Sequence, residues 1–132
     1  MLETYIALVH KAAKKSAPYG VVFPDFPGCV SSGKTIDEAL KNARDSILFH
    51  MEGMLESGEI LPKPTSLEKI LANPEYQQAT ACLIHLVPPT GQLKRVNISI
   101  DAGLLAEVDR AAKALGKKRS EFLAESARQM LI

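Results

Sequence analysis

No apolar run in this chain approaches the roughly 18 residues that a membrane-spanning helix needs, so no transmembrane segment is expected. The opening MLETYIALVH carries an early acid and no basic stretch. It therefore reads as a first strand and not as a secretory signal, which points to a cytoplasmic protein. Cysteine is scarce: Cys29 and Cys82 lie far apart, and neither belongs to a C-x-x-C pair. One disulfide or two free thiols are both open, with free thiols in a reducing compartment the expectation. The histidines His10, His50 and His85 show no ligand spacing, among themselves or with the cysteines. No metal site and no cofactor are expected.

What is present is the composition of a globular protein, 46% hydrophobic and 23% charged. Its 132 residues suffice for one ordinary domain or two small ones. The net charge of +1 hides an asymmetry: residues 1–92 hold 8 Lys/Arg against 10 Asp/Glu, residues 93–132 hold 8 against 5. The acidic part would be repelled by a polyanion that the basic part attracts, so the two should meet different partners.

The segment Thr4 to His10 is apolar and β-prone. KAAKKSAP, with three lysines, follows; it could touch nucleic acid, but a solvated hairpin is the expectation. YGVVF predicts a second strand stopped by PDFPG, and CVSSG a short third. Phe23 and Phe26 on this rigid loop could anchor a protein partner, but the expectation is that they plug the end of the core. Thr35-Ile-Asp-Glu38 is a capping box that opens an amphipathic helix bearing Ile36, Ala39, Leu40, Ala43, Ile47, Met51 and Met54, ended by Gly58. Leu61-Pro-Lys-Pro64 predicts a stiff link, Thr65-Ser-Leu-Glu68 the cap of a short helix, and ATACLIHLV a buried strand. The order β-β-β-α-(α)-β predicts an α+β domain over residues 1–88. Residues 89–92 would then be a linker, and 93–132 a second domain.

From Leu93 the pattern changes. In LKRVNISI, Val96, Ile98 and Ile100 face one way while Arg95, Asn97 and Ser99 face the other. Asp101 caps a helix striped by Leu104, Leu105, Val108, Ala111, Ala112 and Leu115, and Gly116 provides its left-handed stop. Lys117-Lys-Arg119 leads to Ser120, read as the N-cap of a last helix that buries Phe122, Leu123, Ala127, Met130 and Leu131. One strand and two helices cannot bury these stripes alone, and the strand would keep an unpaired edge. Both difficulties vanish if two chains pair their strands antiparallel. A two-stranded ribbon fits the major groove. Arg95, Asn97 and Ser99 would then meet base edges, with Arg95 suited to guanine and Asn97 to adenine. Lys94, Lys117, Lys118, Arg119 and the amides at Ser120 would meet phosphates.

These residues resemble the ribbon-helix-helix family of DNA-binding proteins over about forty positions, in the strand RVNISI, the break ALGKKRSEF and the helix spacings. The N-terminal part adds a second resemblance. Val22-Phe-Pro-Asp-Phe-Pro-Gly-Cys29, Ser32-Gly-Lys-Thr35, Asp37-Glu-Ala-Leu-Lys-Asn-Ala43 and Leu61-Pro-Lys-Pro64 resemble the HicB antitoxin family in order and spacing. That resemblance implies a partial RNase H-like fold, a HicA-type toxin partner that cleaves mRNA, and repression of the shared operon through operator DNA. Nuclease chemistry is not expected, because it needs several carboxylates converging on metal ions. TYIALVH has no interior acid, Asp25 sits between prolines, and Asp37 and Glu38 suit a helix start. The expected protein is thus a non-enzymatic antitoxin-repressor, a homodimer through residues 93–132 that goes on to a tetramer. The rival is a stand-alone ribbon-helix-helix repressor whose N-terminal domain senses a small molecule. Nothing singles out the toxin-binding residues within the N-terminal domain.

Overall fold

The computed structural model describes residues 1–132, which divide into two compact units, Met1–Gly91 and Gln92–Ile132. The first unit is a four-stranded antiparallel sheet of order β3-β2-β1-β4 with helices. Its strands are β1 (Glu3–Lys11), β2 (Tyr19–Val22), β3 (Val30–Gly33) and β4 (Thr80–Leu86). Between β3 and β4 come α1 (Ile36–Glu56), the short α2 (Leu67–Leu71) and a 3-10 turn at Pro74–Tyr76.

Strand alternation divides β1 between two faces. Tyr5, Ala7 and Val9 join Val21, Phe23, Phe26, Ile84 and Leu86 under the stripe Ala39, Ala43, Ile47 and Met51 of α1. Ile6 and Leu8 point the other way and meet Ile70 of α2. β1 is therefore apolar on both faces, as an interior strand covered on both sides must be. Phe23 and Phe26 fill the core, and Phe26 packs edge-on against Tyr5 at 5.0 Å between centroids.

Both ends of α1 follow local chemistry. The Thr35 hydroxyl accepts from the Glu38 amide at 3.1 Å, while Glu38 reaches back to accept from the Lys34 amide. At the other end the amides of Glu59 and Gly58 donate to Met54 and Leu55, which closes a Schellman turn on Gly58 at φ 78. Gly33 lets β3 press against the start of α1: a Cβ there would lie 2.4 Å from the Ala39 nitrogen. That neighbour is backbone and cannot yield, so Gly33→Ala is expected to destabilise the protein by about 1–3 kcal/mol, read as a lowered midpoint in urea.

The proline-rich link is pinned by hydrogen bonds as well as by its prolines. Thr65 donates its amide at 2.9 Å and its hydroxyl at 2.5 Å to the Asp25 carboxylate, and the Tyr5 hydroxyl donates to the Pro62 carbonyl at 2.7 Å. Thr65 is consequently not the cap of α2, as its sequence context suggests. Ser66 is, accepting from the Lys69 amide. β4 also departs from expectation, since it is an edge strand and not a buried one. Its α1-facing Ile84 and Leu86 are buried, but Leu83 stays 55% exposed because α2 only partly covers the second face.

The second unit contains α3 (Ala102–Ala114) and α4 (Arg119–Met130). Residues 93–100, expected as a strand, make no sheet ladder in the single chain. A strand exists only with a partner, and this unit offers none of its own. No helix of the chain is long and apolar enough to cross a membrane. Cys29 and Cys82 are free thiols, and burial raises the pKa of Cys29, keeping it protonated and unreactive.

Candidate nucleic-acid interface

Residues 93–99 are exposed throughout, so Lys94, Arg95, Asn97 and Ser99 all reach solvent. So do Val96 and Ile98, apolar members of the same alternation, at 76% and 62% exposure, and Leu93, which falls in phase with Arg95, at 102%. An isolated chain cannot keep this run of bare apolar side chains in water without loss. The helices carry the same surplus. Only Val108 and Ala112 are buried in this unit, whereas Leu104, Leu115, Met130 and Leu131 are exposed. Ala127, expected in the core, is exposed too, and Phe122 and Leu123 are only partly covered. Two helices of a single chain have too little surface to close over both stripes.

The turn between the helices is held by hydrogen bonds at both of its ends. Asp101 caps α3 by accepting from the Leu104 amide at 3.0 Å. Gly116, at φ 68, ends α3 in a second Schellman turn, with the Lys117 amide donating to Ala112 at 2.8 Å and that of Gly116 to Lys113. α4 then begins two residues earlier than expected. Lys118 occupies the extended cap position and its amide donates to the Glu121 carboxylate at 3.3 Å, while Ser120 lies inside the first turn. The serine is displaced because Glu121, three residues beyond Lys118, can reach back to the Lys118 amide.

The basic residues at this turn differ in their surroundings. Arg119 donates through Nε and an Nη to both oxygens of Asp109, each at 2.8 Å, tying the start of α4 to α3. The paired hydrogen bonds from Arg119 hold the Asp109 carboxyl below its ordinary pKa. Lys117 pairs with Glu125 at 2.5 Å. Lys118, exposed at the cap, makes no salt bridge. The sequence singled out all three cations but not their carboxylate partners, since spacings of ten and eight residues across a turn carry no periodic signal. A phosphate at this turn would share Arg119 with Asp109, and Lys118 would meet it first. The first-turn amides at Arg119, Ser120 and Glu121 have no acceptor within the helix, which leaves a positive helix end beside that lysine.

In the first unit the histidines have ordinary roles: His85 Nδ1 meets the Thr4 hydroxyl at 2.8 Å, and the His50 ring packs edge-on against Phe26. No three His, Cys, Asp or Glu side chains gather closely enough to hold a metal ion.

Comparison with known proteins places these features in a setting. A sequence profile for HicB-like antitoxins of bacterial toxin–antitoxin systems matches residues 5–127, spanning both units. The chain is 40% identical over 118 residues to an uncharacterized 14.9 kDa protein of Haemophilus phage HP1, encoded in the rep–hol intergenic region. That match covers 86% of this chain and 89% of the phage protein. It is 28% identical to antitoxin HicB of Escherichia coli K12, over 77% of this chain and 87% of the relative. Among solved structures it resembles the Burkholderia pseudomallei antitoxin HicB at a TM-score of 0.58 and 34% identity, covering 94% of this chain and 95% of that one.

Proposed function

Because the chain belongs to the HicB-like antitoxin family of bacterial toxin–antitoxin systems, we propose that its two units divide the labour of an antitoxin-repressor. Residues 1–88, as a partial RNase H-like domain, bind and neutralise a HicA-type mRNA-cleaving toxin. Residues 93–132, as a ribbon-helix-helix domain joined through 89–92, dimerise and bind operator DNA in the major groove. The protein is an antitoxin and not an enzyme.

One observation carries the DNA-binding half of this reading. The run from Arg95 to Ile100 alternates polar and apolar side chains, is exposed as far as Ser99 and has no strand partner in its own chain. Pairing it with the same run of a second copy turns Val96 and Ile98 inward and leaves Arg95, Asn97 and Ser99 on the outer face. The exposed stripes of α3 and α4 would close over the inner face. Lys94, Lys117, Lys118, Arg119 and the first-turn amide of Ser120 would flank the groove and meet phosphates. Sheet edges in the first unit, β4 among them, offer a route from dimer to tetramer.

The division is tested by separating the parts. Residues 1–88 contain the whole of the first unit's buried core, so alone they should fold, neutralise the toxin on co-expression and fail to retard operator DNA. Retardation by this piece, or growth rescue confined to residues 93–132, would reverse the assignment.

A further inference from the structure

α1 has two faces, and the outer one is unusual. Ile47 and Met51 are fully buried, yet Phe49 between them is 79% exposed. It borders an open cleft of about 610 Å³ between the PDFPG turn and the C-terminal half of α1, lined by Phe26, Pro27, His50, Gly53 and Glu59 among others. Two of the lining rings, Phe26 and His50, pack edge to face at 5.9 Å between centroids.

Gly53 is a second anomaly. Glycine within a helix is unfavourable relative to alanine, so it usually answers a need for space. Here a Cβ would meet nothing within 4 Å, so nothing in this chain requires the glycine. The bare backbone faces the cleft. A surface that exposes an aromatic side chain and strips its neighbour of a side chain is shaped for close approach by something else.

The charge around it is of one sign. From Asp45 to Pro62 the chain has no lysine or arginine, but it has Asp45, Glu52, Glu56 and Glu59, all exposed. Helical spacing sets Asp45 and Glu52 on either side of Phe49, and Glu56 beside Gly53. A protein that cleaves RNA must hold a polyanion and therefore carries a basic surface. Resting on the antitoxin reading above, we propose that this cleft is the toxin-docking surface, with Phe49 as the buried anchor, Gly53 as the point of closest approach, and the acidic rim facing the basic RNA-binding surface of the toxin. The rim presents the sign of charge that the RNA presents, so docking there would also exclude the substrate.

The test uses the full chain, the toxin encoded by the neighbouring gene in a catalytically disabled form, and titration calorimetry. Phe49→Ala should weaken toxin binding by about thirtyfold or more, as loss of an interface anchor does. Glu52→Lys with Glu56→Lys should weaken toxin binding, an effect that fades as salt is raised. Gly53→Ala separates folding from docking: it should raise the unfolding temperature by about 2–5 °C and still weaken toxin binding about tenfold. All these variants should retard operator DNA like the wild type. If the wild-type chain binds the toxin and the variants bind it equally well, the surface is wrong and the antitoxin reading stands. If the wild-type chain itself fails to bind, the reading falls and this proposal with it.

Discussion

Ile98→Asp is expected to abolish pairing through residues 93–132 and, with it, binding to operator and random DNA alike. Ile98 is 62% exposed in the single chain, so the substitution removes no contact there. In the paired ribbon it would place a carboxylate in a shared apolar core, twice per dimer by symmetry. An uncompensated buried charge costs about 3–5 kcal/mol, or about 6–10 kcal/mol per dimer, enough to dissociate most assemblies of this size. Val96→Asp should act in the same way. Sedimentation would show the loss of self-association at concentrations where the wild type pairs. Residues 1–91 should keep their cooperative unfolding, since their core is closed on itself. An Ile98→Asp protein that still pairs through this unit and retards DNA would mean that residues 93–100 form no ribbon.

The second large effect separates base from phosphate contacts. Arg95→Ala and Asn97→Ala should each weaken binding to the true operator by about 1–3 kcal/mol, and the double variant by about 2–6, with little change for scrambled DNA. Lys118→Ala should weaken both DNAs alike and reduce the salt slope by about one unit. Arg119→Ala should have a mixed effect, because it also breaks the bidentate pair with Asp109 that sets α4 against α3. Titration against operator and scrambled DNA at several salt concentrations distinguishes these patterns. Operator binding by the Arg95→Ala, Asn97→Ala double variant at wild-type strength would show that the ribbon is not the reader.

Short-range chemistry made most elements of this protein legible in its sequence. The Thr35 capping box and Gly58 bound α1, Asp101 and Gly116 bound α3, and the continuous apolar, β-prone run in TYIALVH marks β1. Each signal lies within a few residues of the feature it sets. Two helix starts are misread where capping signals compete locally, one of them decided by a distant residue and the other by a near one. Thr65 and Ser66 both look like caps, but Asp25, forty residues away, takes Thr65 and leaves Ser66 to the helix. At α4, Lys118 holds the cap position because Glu121 reaches its amide, and Ser120 falls inside the helix.

Composition likewise separated an acidic part from a basic one, and spacing picked out the cations of the α3–α4 turn. It did not give Asp109 and Glu125 as their partners, because a turn brings together residues that no periodicity relates. An apolar run alone cannot say whether its strand is central or at an edge. The sheet order makes β4 an edge and leaves Leu83 exposed, while β1, of similar composition, is covered on both faces. The cleft beside Phe49 follows the same rule. Its position off the α1 stripe is visible in the sequence, but only the fold sets it beside the PDFPG turn and a bare glycine. The sequence by itself determined the elements, their ends and the two-part distribution of charge, because propensity, capping and patterning act over a few residues. The tertiary structure alone decided which strands lie at edges, which residue caps α2 and which charges pair across the α3–α4 turn, because those outcomes depend on contacts that no local periodicity encodes.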